Sequence, residues 1–326
     1  MPTFLLPVTR RSLPFASSLL HFVSSACPQP PRLQFLISAK SRNLERSLRR
    51  LLPSSLFSSH EHESIPDWTN SKDLQEALGA CDGVILAASG CGDDVINLPS
   101  NSNDEWLQCE QNVATLVSKR HRVAKLSWTE GFVGERSPSA SGRVNWELEE
   151  ELKGKFGGGS EWANNLKILR APTGMDAFLR GRLFDLVCGR TLSISVKRGR
   201  IAFVHPLDVA ESLGVLLMKE KVEGGLYKLN GPEALTFPEL AKLLSEGIGE
   251  KVNYSNFPLW AVQPARWVRG VPGDVIEEEL AVIRALEAGA QQEVNTSMET
   301  LLEHKPRSFR EFVTENADAW PRSDPL

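Results

Sequence analysis

The chain is 326 residues long, enough to bury one large core or two smaller ones. Hydrophobic residues make up 41% and charged residues 24%, the mix of an ordinary soluble globular protein. A net charge of −4 gives no electrostatic reason for a nucleic-acid or anionic-membrane partner, and no apolar run approaches the ~18 residues of a spanning helix.

The opening stretch reads TFLLPVTRRSLPFASSLLHFVSSA. Phe4–Leu6 predicts a short strand, and Ser12 to Ala26 carries apolar residues at helical spacing. Leu33–Ile37 predicts the next strand. The first 44 residues hold no acid, five Arg/Lys and many serines. That composition resembles an organelle transit peptide. The same residues also suit a folded strand-helix-strand unit, which is the reading adopted, with a cytoplasmic protein as its corollary.

Further on, DLQEALG suggests a helix and Val84-Ile85-Leu86 a strand. Trp106, Cys109, Val113, Leu116 and Val117 share one helix face. RVAKLS, Arg122–Ser127, predicts a strand. From Glu130 to Ser160 the pattern weakens, and SPSASG and KFGGGS read as a lid or a variable insertion. Leu166–Arg170 predicts a strand, Met175 to Val187 one helix, Ile201–Val204 a strand and Leu207–Met218 a helix. Strands alternating with helices predict a parallel sheet covered on both faces. After Gly231-Pro232 the character changes to PELAKLLSEGIG, a helix closing on glycine, VNYSNF, a short strand, and an amphipathic helix from Asp274 to Gly289. The expected architecture is α/β. A Rossmann-like, doubly wound parallel sheet occupies residues 1–228, and a smaller, mainly helical C-terminal substrate portion follows at 229–326.

The five cysteines (Cys27, Cys81, Cys91, Cys109, Cys188) are scattered with no CxxC, as reduced thiols would be. His60 and His62 lie in HEHE, which reads as a solvated loop, and no metal site is expected. No GxSxG surrounds Ser127, and neither a Walker motif nor HExxH occurs.

Parallel α/β sheets bind ligands at the carboxyl ends of their strands. The first such turn, PVTRRSLP, contains no glycine, although a dinucleotide's pyrophosphate wants close backbone N–H groups at a helix start. Val8, Arg11 and Pro14 stand at the glycine positions, and Pro14 also removes a donor. Arg10 and Arg11 can instead neutralise phosphate through side chains. Lys40, at the end of the second strand, stands where a cation would meet the 2′-phosphate of NADP. Asp67-Trp68 and Ala87 to Gly90 follow later strand ends, either flanking adenine and ribose or making tight turns. The two tyrosines, Tyr227 and Tyr254, lack a lysine four residues on, so the proton donor of carbonyl reduction is missing. Hydride addition to an iminium needs no such donor.

FVHPLDVAESLGVLL and YKLNGPEALTFPELAKLLSEGIGEKVNY resemble the NmrA-like, atypical short-chain dehydrogenase group. The ending, WVRGVPGDVIEEELAVIRALEAGAQQEVNTSMETLLEHKPRSFREFVTENADAW, resembles the ergot-alkaloid type within it, the agroclavine and festuclavine dehydrogenase-like proteins. Asp67-Trp68 and LRAPTGMDAF also resemble that type. The resemblance implies an NADP(H)-dependent oxidoreductase of secondary metabolism passing hydride to an iminium-type carbon of a small molecule. It puts Thr9, Arg10 and Arg11 over the pyrophosphate and Lys40 by the adenosine phosphate. Asp67 and Trp68 would lie near the adenine, Ala88 and Ser89 by the ribose and Ser127 beside the nicotinamide. Thr173 and Met175 would begin the substrate wall, with Trp128, Phe178 and Trp260 as further pocket candidates. The family's glycine motif is lost at Val8, Arg11 and Pro14. A redox-inactive NADP sensor and a cofactor-free isomerase on the same fold are the rival readings.

Overall fold

The computed structural model describes residues 2–8, 12–26, 32–36, 68–88, 105–157, 165–218 and 225–321. Strands β1 (Thr3–Pro7), β2 (Arg32–Leu36), β3 (Gly83–Leu86), β4 (Arg122–Ser127), β5 (Leu166–Arg170) and β7 (Leu226–Lys228) form one sheet. Their order is β2-β1-β3-β4-β5-β7, and every adjacent pair is parallel. The central strands β1 and β3 read as continuous apolar runs because helices cover both faces.

The alternation along each strand divides the core. Phe4, Leu6, Ile85, Ala124, Leu126 and Leu169 face helices α1 (Leu13–Ala26) and α6 (Pro206–Met218). Leu5, Val84, Leu86, Val123, Leu166 and Ile168 face α2 (Ser71–Ala80), α3 (Glu105–Leu116) and α4 (Ala140–Phe156). Phe15, Ala16, Leu19, Leu20 and Val23 are at most 1% exposed along α1. Each large side chain so buried contributes roughly 1.5–3 kcal/mol. The basic, serine-rich opening therefore forms a strand and a helix of the core. α1 and α6 touch closely: a Cβ on Gly214 would meet the Phe22 ring at 2.6 Å.

A second core lies among α5 (Gly181–Cys188), α7 (Phe237–Ile248), α9 (Gly273–Glu287), α11 (Phe309–Glu315) and a two-stranded parallel sheet. That sheet pairs β6 (Thr191–Ile194) with β8 (Asn253–Asn256). α7 opens on a reciprocal Thr236–Glu239 capping box and closes on left-handed Gly249. α8 (Leu259–Trp267) and α9 form a hairpin over their own small cluster of Val262, Ile276 and Leu280. The C-terminal segment then returns to the main sheet, where α10 (Ser297–Leu302) places Met298, Leu301 and Leu302 in the α1–α6 core. Among the described residues no helix is long and apolar enough to cross a membrane.

Three expectations are corrected. The region expected as loop contains α4, which runs 17 residues from a Ser139 cap that accepts from Gly142 N. Its buried stripe, Leu148, Leu152 and Phe156, is diluted by six glutamates and lysines in ELEEELKGK more than it is absent. The single helix expected at Met175–Val187 is a short 3-10 turn, Met175–Leu179, then α5. Extended Arg180 (φ −158) and left-handed Gly181 (φ +60) break it. Ile201–Val204 is buried but makes only isolated bridges, Ile201 to Leu235 and Val204 to Gly174, and the neighbouring strand is β6.

Candidate functional site

The connection direction reverses between β1 and β3. β1 leads through α1 to β2 on one side, and β3, β4 and β5 step away on the other. Ligands of such sheets sit in the crevice outside the carboxyl ends at that reversal. The described residues there are Val8 after β1, Ala87 and Ala88 after β3, Ser127 and Trp128 at the end of β4, and Ala171 after β5.

Ala88 is pinned by its backbone. Its N–H donates to Glu110 Oε1 at 2.8 Å. The other oxygen, Glu110 Oε2, lies 2.6 Å from Lys125 Nζ, and both side chains are fully buried. Lys125 also donates to Asn145 Oδ1 at 2.7 Å and to the Leu126 carbonyl at 3.2 Å. Asn145 Nδ2 reaches the Ser141 carbonyl at 2.9 Å and Thr129 Oγ1 at 3.4 Å. One polar chain thus ties the β3 end to α3, β4, α4 and the loop after β4. By alternation Ser127 shares the strand face of Lys125. Its hydroxyl is fully buried with no hydrogen-bond partner among the described residues.

A second clamp comes from the C-terminal segment. Gln291, 1% exposed, accepts from Thr173 Oγ1 at 2.8 Å and donates to the Glu130 carbonyl at 2.9 Å. It joins the loops that follow β4 and β5. Beside it, Arg170 pairs with buried Glu149 at 2.5 Å. Burial opposes the charged Arg170, but the Glu149 carboxylate outweighs it and raises the guanidinium's proton affinity.

The expected site residues are distributed as follows. Ala88 and Ser127 lie at neighbouring strand ends, as do Trp128 and Thr173. Trp68 is 3% exposed in the core under α2, with its indole N–H unpartnered among the described residues. Trp128 is equally buried and stands edge-on to Phe15, ring centres 6.0 Å apart. Met175 is fully buried in the second core. Phe178 is a correction: it is packed edge-on to Phe203 and Phe309 at 5.6 and 5.1 Å, so it fills that core instead of lining a pocket. Trp260 is another, 80% exposed on α8. Val8 is a third. At a glycine position it is fully buried in the α1–α6 core. Pro14 is exposed on the first turn of α1 and still withholds a donor. Thr9, Arg10, Arg11, Lys40, Asp67 and Ser89, with His60, His62, Cys27 and Cys91, lie outside the described residues.

Sequence reading missed Glu110, Asn145 and Gln291, which look like surface residues when read along a helix or loop. Lys125 did carry a signal, a charge in the middle of the apolar strand RVAKLS. Among the described residues no three His, Cys, Asp or Glu gather as metal ligands. Cys81 is buried, and burial pushes its thiol up to about 11, which disfavours the thiolate.

This arrangement, a doubly wound parallel sheet with small residues and a buried serine at the reversal, is a Rossmann-like α/β fold. In its sequence motifs the chain resembles the NmrA-like group of atypical short-chain dehydrogenases, and in its fold it is similar to solved Rossmann-like reductases. No family model matches the chain. It is 27% identical to agroclavine dehydrogenase of Claviceps fusiformis over 134 residues, 41% of this chain and 46% of that protein. The match thus spans about half the length of that relative. Triphenylmethane reductase of a Citrobacter species, solved with NADP(H), shares the fold at TM-score 0.68 and 16% identity, over 97% of this chain and 99% of that one. The NADPH-dependent quinone oxidoreductase QOR2 of Escherichia coli, solved with NADPH, does so at TM-score 0.68 and 16% identity, over 96% and 99%.

Proposed function

We propose that the chain is an NADP-dependent oxidoreductase of secondary metabolism, delivering hydride to an iminium or related acceptor on a small apolar, nitrogen-containing substrate. The observation that carries this reading is Ser127. Its hydroxyl is fully buried at the end of β4, beside the sheet's reversal, without a partner among the described residues. Leaving a buried hydroxyl unpaired costs about 1–3 kcal/mol, a cost that a ligand's polar group removes. The same crevice offers only methyl side chains at Ala87 and Ala88. In both respects the residues fit a nicotinamide dinucleotide.

When bound, that cofactor supplies the hydride. The chain's own residues do the rest. Ser127 orients the nicotinamide end by a hydrogen bond. Ala88, held by Glu110, and Ser89 border the ribose. Thr9, Arg10 and Arg11 neutralise the pyrophosphate, Lys40 takes the adenosine phosphate, and Asp67 and Trp68 border the adenine. Trp128 and Thr173 wall the acceptor side and keep water out, where low dielectric strengthens the pull of a cationic acceptor. No tyrosine serves as acid. Tyr254 donates to the Ile194 and Val196 carbonyls at 3.2 and 3.1 Å. Burial above all, with Glu287 nearby, pushes its phenol up to about 12. An iminium acceptor, which becomes a neutral amine, asks for no such acid.

One observation favours a second reading, a redox-inactive NADP sensor or a cofactor-free isomerase. The turn PVTRRSLP has no glycine, and Pro14 withholds a donor from the first turn of α1. Calorimetric titration with NADPH, NADP⁺ and NADH separates these. Micromolar NADPH binding that falls at least about tenfold in Lys40→Glu, with NADPH consumed when cyclic imines are added, supports the reductase. Binding of both redox forms without turnover supports the sensor. Absence of binding at millimolar cofactor overturns both and leaves the isomerase.

A further inference from the structure

A cleft of about 550 Å³ opens between α5, β6 and the α8–α9 hairpin. None of its lining residues belongs to β1, β3, β4 or β5 or to the loops that end them. It therefore stands apart in composition from the strand-end crevice, whatever that crevice binds. Its size suits one small ligand.

Its chemistry is two-sided. Leu186, Phe257 and Val262 supply apolar wall. Arg182, Arg266 and Arg269 supply three positive charges against the two negative charges of Asp185 and Glu279. Glu279, 4% exposed, accepts from Arg266 Nε and Nη2, both at 2.8 Å, and from Arg182 Nη1 at 3.2 Å. One carboxylate thus holds two guanidinium groups in place. Arg269, one turn beyond Arg266 and exposed at the mouth, makes no ion pair among the described residues. Three cations against two anions leave a charge of +1. α5 adds to it, because its first residues, Gly181 and Arg182, line the cleft. That helix has no side-chain cap and no acid in its first turn. The field is felt at Arg182, whose proton affinity is lowered first by burial and then by the charges of Arg266 and Arg269, with Glu279 acting against them.

We propose that this cleft binds a small amphiphilic carboxylate, its apolar part against Leu186, Phe257 and Val262 and its anionic group on Arg269, with Arg182 and Arg266 behind it. A single negative charge cancels the surplus. A phosphate dianion would overshoot it, and a cation would be repelled.

The test is a calorimetric titration of the full chain, without nucleotide, using 4-phenylbutyrate and its uncharged amide. The carboxylate is expected to bind roughly tenfold tighter than the amide, with a preference that shrinks as sodium chloride is added. Arg269→Gln, at an exposed position that leaves the fold intact, should remove that preference and leave amide binding unchanged. Arg269→Lys should keep part of it. Equal affinity for acid and amide, no binding of either, or an unchanged preference in Arg269→Gln overturns the proposal. NADPH titrated into the same sample gives its own answer, so failure here is distinguishable from failure of the reductase reading.

Discussion

Lys125 Nζ lies 2.6 Å from Glu110 Oε2, and neither side chain has any exposed surface. Removing one partner strands a buried charge, which costs about 3–5 kcal/mol. Glu110→Gln and Lys125→Met are each expected to lose stability of that order in urea unfolding. The double variant Glu110→Leu/Lys125→Met should recover much of the loss, since apolar packing replaces a pair without leaving a charge. It should nevertheless bind NADPH more weakly, because the Ala88 N–H has lost its acceptor.

Ser127→Ala separates binding from folding. The hydroxyl has no partner among the described residues, so its removal should leave the melting temperature unchanged or slightly raised. NADPH affinity should drop about tenfold, the worth of one good hydrogen bond to a ligand. Unchanged affinity with an unchanged melting temperature would remove Ser127 from the site.

Gln291 joins the loop after β4 to the loop after β5. Gln291→Leu keeps the volume and leaves Thr173 Oγ1 and the Glu130 carbonyl unpaired in a buried place. The expected loss is about 1–3 kcal/mol, read by denaturant unfolding. Thr173→Val in the same background should add little, because the bond is already broken.

His205 carries a pH prediction. It precedes α6, its Nδ1 accepting from Leu207 N at 3.2 Å. Burial above all, then the charge of Arg307, pushes it from 6.5 down to about 4. Glu315 lies 3.4 Å from Nε2, but that carboxylate is 49% exposed and the ring only 6%, so desolvation decides. Between those two values the unfolded chain binds the extra proton, so stability falls as pH drops through that window. Asp208 acts oppositely, since burial raises it and its stability contribution grows as pH falls. Comparison with His205→Gln isolates the histidine. The native chain should lose on the order of 1–3 kcal/mol more than the variant between about pH 7 and pH 5, by urea unfolding. Parallel curves would refute it.

The sequence alone carried the sheet. Apolar runs at Phe4–Leu6 and Val84–Leu86, and the mainly apolar Arg122–Ser127 and Leu166–Arg170, set between helical patterns, fit a parallel sheet buried on both faces. It also carried Ser127 and Ala88 to neighbouring strand ends, because in such a sheet the carboxyl ends line up. Where local pattern was weak, it failed. α4 was hidden by its charged face, and the break at Gly181 depends on a backbone sign that no periodicity shows. Tertiary structure alone decided which polar residues face inward. Glu110, Asn145 and Gln291 are far apart along the chain, and each pays its desolvation only because a partner from another element meets it. It also decided that Phe178 and Val8 are core and that Trp260 is surface. An aromatic or β-branched residue fits either place equally well until its neighbours are folded against it.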